Sequence, residues 1–405
     1  MSEPASACNV DVAIVGGGMA GAALALLLAQ RLPSLSVTLV EQHALQPATD
    51  EQLAVPSFDA RSTALSCSSQ RILAELGLWP ALAQRAAPIL QVHVSERSRP
   101  AGMLMRAEDN GLPALGYVIE NRLLGNVLLR AVLESPHIRT ISPAQVSRIA
   151  LSADSARLGV GDAQLTARLV VIADGADSPL RQQLGIAADH IPYDQHALVA
   201  NVVTELPHAG VAYERFTDTG PVALLPLPDH ESRHRAALVW TVPDEQFDEL
   251  MTLPDEAFLA RVQQRFGERC GRLLAVGSRY GYPLALVQAR EQVRSRVVLM
   301  GSAAHHLHPV AGQGFNLILR DCLALAETLT PVVAAGADIG DIAHLQQYFS
   351  HQQWDQQKTV AASDWLPRLF SNRDRPQMLL RSAALLGLDF LPGAREWFAR
   401  EATGL

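Results

Sequence analysis

The chain has 405 residues, 48% of them hydrophobic and 18% charged, enough apolar material for two or three domains with substantial cores and too much for a disordered chain. Its net charge of −8, with no block of Lys or Arg, argues against a nucleic-acid footprint and a polybasic membrane anchor. The four cysteines, Cys8, Cys67, Cys270 and Cys322, show neither CxxC nor Cys/His spacing, so no zinc site or disulfide framework is expected and a reducing cytosol fits.

The N-terminal MSEPASACN carries no basic stretch, and the apolar run after it is broken by three glycines and stops at Gln30-Arg31, so no secretory or transmembrane segment is expected. Val12–Val15 reads as a short buried strand, broken by Gly16-x-Gly18-x-x-Gly21 before the helical run Ala22–Arg31. In such a strand–turn–helix the first glycine permits the turn, the second lets main chain approach a pyrophosphate, and the third lets helix pack on strand. The free N–H groups at the helix start then face phosphates. A second strand, Val37–Val40, ends in Glu41, twenty residues after Gly21, where a carboxylate can accept both ribose hydroxyls. This combination marks nucleotide binding.

After a polar segment to Ser57, the stretch FDARSTAL, Phe58–Leu65, leads into a helix over Ser68–Leu78. Arg61 stands just before it, placed to grip a pyrophosphate bidentately; the plainer alternative is a solvated loop arginine. Gln91–Ser95, Met103–Arg106 and Tyr117–Glu120 read as strands, and Asn121 as the N-cap of a helix with Leu124, Leu128 and Leu129 on one face. A meander over Ile138–Val146, Arg157–Val160 and Gln164–Leu169 feeds the buried strand Val170–Ala173, which runs into Asp174-Gly175. At the carboxyl end of a parallel strand that dipeptide lies on the ligand edge of a doubly wound sheet, although Asp-Gly is often only a turn.

From Ala197 to Trp240 the pattern changes. Leu198–Val203, Val211–Phe216, Val222–Leu227 and Ala236–Val242 are strand-length runs separated by Pro, Gly and Asp, which predict an inserted antiparallel sheet. A helix over Asp255–Phe266 and strands over Leu273–Arg279 and Ala285–Gln288 follow. Such a sheet gives a substrate cavity one wall while the nucleotide domain gives the other. Val297–Gly301 is another buried strand meeting a glycine, and the loop Ser302–Gly314 enters a helix over Phe315–Leu329, a second ligand-facing helix start. His305, His306 and His308 invite a metal reading, but they form no helical facial pair and have no adjacent acid, so no metal is expected. The rest reads as helical over His344–Ala361 and Gln377–Gly387; Trp354, Trp365, Leu366, Leu369 and Phe370 offer an apolar surface for the core, a partner or a membrane.

Three separated stretches, GGGMAG with Glu41, IADGADSPLR and VLMGSAAHHLHPVAGQGFNLILRD, together resemble the aromatic hydroxylases among FAD-dependent monooxygenases, with the para-hydroxybenzoate hydroxylase-like fold. The finer matches FDARSTAL, AYERFTDTGPVALLPLPD, YPLAL and HPVAGQGFNLILRD resemble the ubiquinone-biosynthesis hydroxylases, most closely those acting on 2-octaprenyl-6-methoxyphenol. The resemblance implies an α/β chain: a Rossmann-like FAD-binding domain (1–90, 115–192 and 281–335), an inserted antiparallel-sheet substrate domain (91–114 and 193–280) and a C-terminal helical segment (336–405). It implies that Gly16, Gly18, Gly21 and Glu41 hold the ADP part, Arg61 lies near the pyrophosphate, and Asn121, Asp174 and Gly175 sit near the flavin. Pro309, Gly312, Gly314 and Asn316 match the loop facing the isoalloxazine. Ser302 departs from the family, whose Gly-Asp acid bonds the ribityl chain; a serine still hydrogen-bonds but is neutral.

The implied chemistry is that reduced flavin adds dioxygen as a 4a-hydroperoxide, which attacks a phenol carbon activated by its own oxygen. The implied partners are a prenylated phenol, dioxygen and an electron source, NAD(P)H or a partner protein, since no second GxGxxG appears. A ubiquinone-biosynthesis complex and peripheral contact with the inner membrane from the cytoplasm fit the same resemblance. No catalytic base stands out; Tyr213, Tyr282, His305 and His308 are candidates beside the matched motifs, each with a structural alternative. The resemblance also leaves open another ring position, another aromatic, or a flavin-bearing structural subunit.

Overall fold

The computed structural model describes residues 8–47, 61–97, 102–307 and 313–371, and side chains to Ser363. The chain folds as a Rossmann-like α/β unit carrying an inserted, mostly antiparallel sheet, with helices toward its C-terminal end.

The nucleotide-side sheet has five parallel strands in the spatial order Val297–Leu299, Ala163–Ile172, Cys8–Val15, Val37–Val40 and Ile138–Ile141. The predicted meander hangs from the Ala163–Ile172 strand as Val146–Leu151 and Ala156–Val160, both antiparallel. The strands buried on both faces read as unbroken Val/Ile/Leu runs, as parallel strands do. One face packs on helices Met19–Arg31, Asn121–Glu134 and Gln313–Ala334, through Leu24, Leu27 and Leu28 against Leu124, Leu319 and Leu325. The first helix is apolar nearly all round because it is covered on nearly all sides.

A nine-stranded sheet carries Ala188–Thr204, Arg233–Pro243, Gly220–His230 and Val211–Thr217 side by side, with Tyr280–Ala289 at one flank and Gln91–Glu96 and Gly102–Arg106 at the other. Two of its strands, Ala188–Thr204 and Tyr280–Ala289, cross the expected domain boundaries at 192/193 and 280/281. One face of this sheet is closed by helices Asp244–Thr252, not foreseen in the sequence, and Asp255–Phe266: Leu198, Val222, Leu224, Leu238 and Trp240 meet Phe258, Val262 and Phe266. On the opposite face a three-stranded sheet, Ser62–Ser66, Gly116–Glu120 and Ala87–Ile89, packs Val118 and Ile89 onto Ala212, Leu227 and Ala237. That face is turned toward the nucleotide unit.

The last described helix, Ile342–Ser371, outruns the predicted His344–Ala361 and leaves Trp354 69% exposed. The expected helix Gln377–Gly387 lies outside the described residues, as do the side chains of Trp365, Leu366, Leu369 and Phe370. No described helix is long and apolar enough to cross a membrane.

Candidate active site

Four parallel strands end level. Val15 pairs with both Val40 and Ile172, and Ile172 with Leu299, so the glycine turn, Glu41, Asp174-Gly175 and Gly301-Ser302 emerge along one sheet edge. The chain order switches sides at Cys8–Val15, which makes this the ligand crevice of a doubly wound sheet. Gly16 has φ +108°, and a Cβ there would lie 2.3 Å from the Ala173 carbonyl oxygen; a Cβ on Gly21 would lie 1.9 Å from the Gly16 oxygen. The helix Met19–Arg31 starts at Gly18 with no side-chain cap and no acid in its first turn, leaving its opening N–H groups directed at the crevice. Gly301, at φ +63°, brings the Ser302 turn against Ala20 of that helix, a Cβ there lying 2.9 Å from the Ala20 methyl.

Glu41 crosses the mouth of the glycine turn, its carboxylate accepting from the Gly17 N–H at 2.6 Å and the His43 N–H at 2.9 Å. Both carboxylate oxygens of Asp174 are buried, and neither makes a well-aligned hydrogen bond to a described group. Burial raises the Asp174 carboxyl above its ordinary value, outweighing the nearby Ser178 hydroxyl, main-chain N–H groups and Arg181.

Arg61 immediately precedes strand Ser62–Ser66, and its guanidinium stacks 4.3 Å from the ring of Tyr282 on the inserted sheet. His306 is close enough for burial, and then the Arg61 charge, to lower its pKa. Asn121 is the first helical residue rather than the cap, since Glu120 holds the extended cap geometry; its amide oxygen accepts from the Thr63 hydroxyl at 2.6 Å. Asn316 is 1% exposed and bolted to the edge strand: its amide oxygen accepts from the Ser66 N–H at 2.9 Å and the Ser69 hydroxyl at 2.7 Å, and its NH₂ donates to the Ala64 carbonyl at 2.8 Å. Gly314 lies in the first turn of helix Gln313–Ala334; His308, Pro309 and Gly312 lie outside the described residues.

The chain matches the family described as FAD binding domain over residues 9–353. It is 36% identical to ubiquinone hydroxylase UbiL of Rhodospirillum rubrum, over 97% of this chain and 89% of that protein. It is 32% identical to 3-demethoxyubiquinol 3-hydroxylase of Escherichia coli, over 94% of each. The chain belongs to the FAD-dependent ubiquinone hydroxylase family. The same fold is found in PqsL of Pseudomonas aeruginosa, with a TM-score of 0.76 at 23% identity over 94% of this chain and all of that one. This hydroxylase is therefore an FAD-dependent aromatic monooxygenase.

The crevice suits FAD on structural grounds. Two glycines occupy positions that any Cβ would block, a helix start is left uncapped toward the crevice, as phosphate binding requires, and a carboxylate is enclosed without a well-aligned donor among the described residues. Among the described residues no group of His, Cys, Asp or Glu is arranged to hold a metal.

The candidate bases separate. His305 is buried, with Nε2 3.0 Å from Asp321, whose other oxygen accepts from Gln356 at 3.0 Å; this chain ties the short strand His305–His306 to helices Gln313–Ala334 and Ile342–Ser371. Tyr213 points away from the nucleotide unit, edge-on to Phe266 at 5.7 Å, and burial raises its hydroxyl pKa. Tyr282 faces the crevice under Arg61. The sequence reading missed Glu120, which bridges Arg235 at 2.7 Å and Arg122 at 2.8 Å and lies 3.4 Å from the Asn201 amide, joining the three-stranded sheet to the inner face of the large one. Of its partners, Arg235 and Asn201 are 115 and 81 residues away, beyond any local pattern.

Proposed function

We propose that this hydroxylase converts a 2-polyprenyl-6-methoxyphenol to the 1,4-benzoquinol, adding oxygen para to the existing hydroxyl. The observation that carries the reading is the face of the inserted sheet opposite the crevice. Ala223, Leu225 and Val239 lie at its centre yet stay part-open, whereas Val222, Leu224 and Trp240 on the other face are closed by helices. A part-open apolar floor beside a cofactor crevice suits a methoxyphenol ring with a prenyl tail.

In this reading Gly16, Gly18, Gly21 and Glu41 hold the ADP part of FAD and Arg61 its pyrophosphate. Asn121, Asp174, Gly175, Ser302, Pro309, Gly312 and Gly314 surround the flavin end, and Asn316 sets the helix that follows. Bound FAD, once reduced, supplies activated dioxygen, one atom of which goes to the ring. The chain's own part is to fix the ring against the cofactor, exclude water and polarise the phenol. Segments 1–90, 115–192 and 281–335 carry the cofactor and 91–114 and 193–280 the substrate, with the strands Ala188–Thr204 and Tyr280–Ala289 shared between them. Electrons come from NAD(P)H at the same domain or from a partner protein. A long prenyl tail calls for delivery from lipid, through peripheral membrane contact or a biosynthetic complex.

The Escherichia coli relative, named for hydroxylation at position 3 of demethoxyubiquinol, favours a second reading in which another ring carbon is oxidised. Deleting the protein from its host and identifying the accumulated quinone precursor by mass spectrometry separates the two. Accumulated 2-polyprenyl-6-methoxyphenol supports the first reading and a demethoxyquinol the second; unchanged quinone refutes both.

A further inference from the structure

The inner face of the inserted sheet carries an ionisable side chain, Glu214, that the foregoing chemistry leaves without a task. Register fixes its surroundings. Glu214 pairs with Ala223 on one side and Val94 on the other, and Ala223 pairs with Val239, which pairs with Val199. Directly paired residues share a face, so these five side chains form one row across the sheet. Ala212 and Phe216, two residues either side of Glu214, point the same way and are both buried. The row lies on the face that carries Tyr282, through the pairings of Tyr280 with Val199 and Tyr282 with Ala197, and hence on the side of Arg61 and the crevice.

Two facts distinguish Glu214 from an ordinary surface carboxylate on a strand. Its neighbours in the row are Ala and Val, and no described residue hydrogen-bonds or ion-pairs with its carboxylate. It also keeps accessible surface, together with Ala223, Leu225 and Val239, although the strands on both sides, the three-stranded sheet and helix Ile342–Ser371 cover this region. These side chains are central to a covered sheet and yet remain part-open, so a ligand between the layers would meet them. Among the described residues its carboxylate has no partner, which leaves it to a ligand that reaches this face.

We infer that Glu214 is the general base that takes the phenol proton of the substrate. This rests on the proposed phenol substrate. The substrate O–H bond breaks and a Glu214 O–H bond forms, leaving a phenolate whose charge is delivered to the ring carbon that receives oxygen. When that carbon gives up its own hydrogen as a proton to the second oxygen atom, which leaves as water, the ring becomes aromatic again and Glu214 returns its proton to the phenolate oxygen. Both electrons and dioxygen come from the established flavin reaction, so the base adds and removes nothing net. Enclosure among apolar side chains pushes the Glu214 carboxyl up to about 7, so near neutrality it is part-ionised and a stronger base than a solvated carboxylate. Other charged groups on the elements packed here include Glu96, on the same face of strand Gln91–Glu96, Arg235 and Glu120, which pair with each other at 2.7 Å, and Asp355 and Lys358 along helix Ile342–Ser371; Asp355 is held by Arg320 at 2.6 Å.

The test uses flavin-loaded wild-type and Glu214→Gln protein in single turnovers, with the flavin reduced chemically and then mixed with dioxygen and phenol. One phenol is a short-prenyl methoxyphenol; the other is its ring-fluorinated analogue, acidic enough to be ionised at the assay pH. The expected result is a loss of about 100-fold or more with the first phenol, the scale of a lost general base, and a loss at least tenfold smaller with the second. Wild-type turnover of the first phenol should rise with pH through an apparent pKa near 7, and the variant should lack that limb. Equal losses with both phenols, or no loss with either, overturn the inference alone. Wild-type protein that hydroxylates neither phenol overturns the phenol reading and this inference with it.

Discussion

Asn316→Ala should destabilise the flavin-free protein itself. The Asn316 amide bonds Ala64 C=O and Ser66 N–H, two main-chain groups on the same side of strand Ser62–Ser66, and so stands in for a peptide of the next strand. That strand is an edge of the three-stranded sheet, its other side being paired to Gly116–Glu120. Removing the amide leaves one donor and one acceptor stranded in a site where Asn316 is 1% exposed, at about 1–3 kcal/mol each. The Ser69 hydroxyl still has the Ser66 hydroxyl at 3.1 Å and adds little. The sum is about 4 kcal/mol, or a drop in Tm of about 8 °C at about 2 °C per kcal/mol for a chain of this size. Differential scanning calorimetry on stripped protein measures it free of ligand linkage. An unchanged apo-protein Tm, with flavin lost on substitution, would refute the edge-strand role and make Asn316 a cofactor contact only.

Gly21→Ala should abolish flavin retention, because its Cβ would lie 1.9 Å from the Gly16 oxygen, whereas Gly185→Ala, at φ +69° with open space around it, should keep the flavin and lose only about 1 kcal/mol; bound-flavin absorbance after gel filtration compares them. Burial alone would raise the Glu120 carboxyl, but hydrogen bonds and charges from Arg235 and Arg122 outweigh it and hold the pKa below the ordinary value. Its folded pKa is thus below its unfolded one, so its contribution is fully present above the unfolded value and is lost as pH falls through the folded one. Urea titration should find Glu120→Gln less stable than wild type by about 2 kcal/mol at pH 7, with the gap closing in acid. Asp174 has the opposite sign: its raised folded pKa makes the flavin-free protein gain stability as pH falls through that value. Asp174→Asn should therefore be more stable than wild type at neutral pH without flavin and should flatten the pH dependence, measured by the same titration.

The nucleotide site was legible in the sequence because its logic is local. A strand that must stop, a turn that only glycine can make and an acid at the next strand's end lie within Val12–Glu41, and the structure puts them on one sheet edge. The inserted strands were legible for the same reason, since turn residues and apolar runs are short-range signals; Asp255–Phe266 has the bounds its pattern predicts. What tertiary structure alone decided is which side chain meets which partner. Asn316, next to glycines in the sequence, turns onto a strand 250 residues away, and Glu120 finds Arg235 across 115 residues. His305 belongs to a buried pair with Asp321. Glu214 gave no signal, because an acid between Tyr213 and Arg215 in an alternating strand looks like any solvent-facing residue. Period two assigns it to a face, but whether that face meets water or an enclosed cavity depends on which sheet and helix are laid over it. Sequence determines the periodicity and the turns; the packing of one layer on another determines what each periodic face encloses.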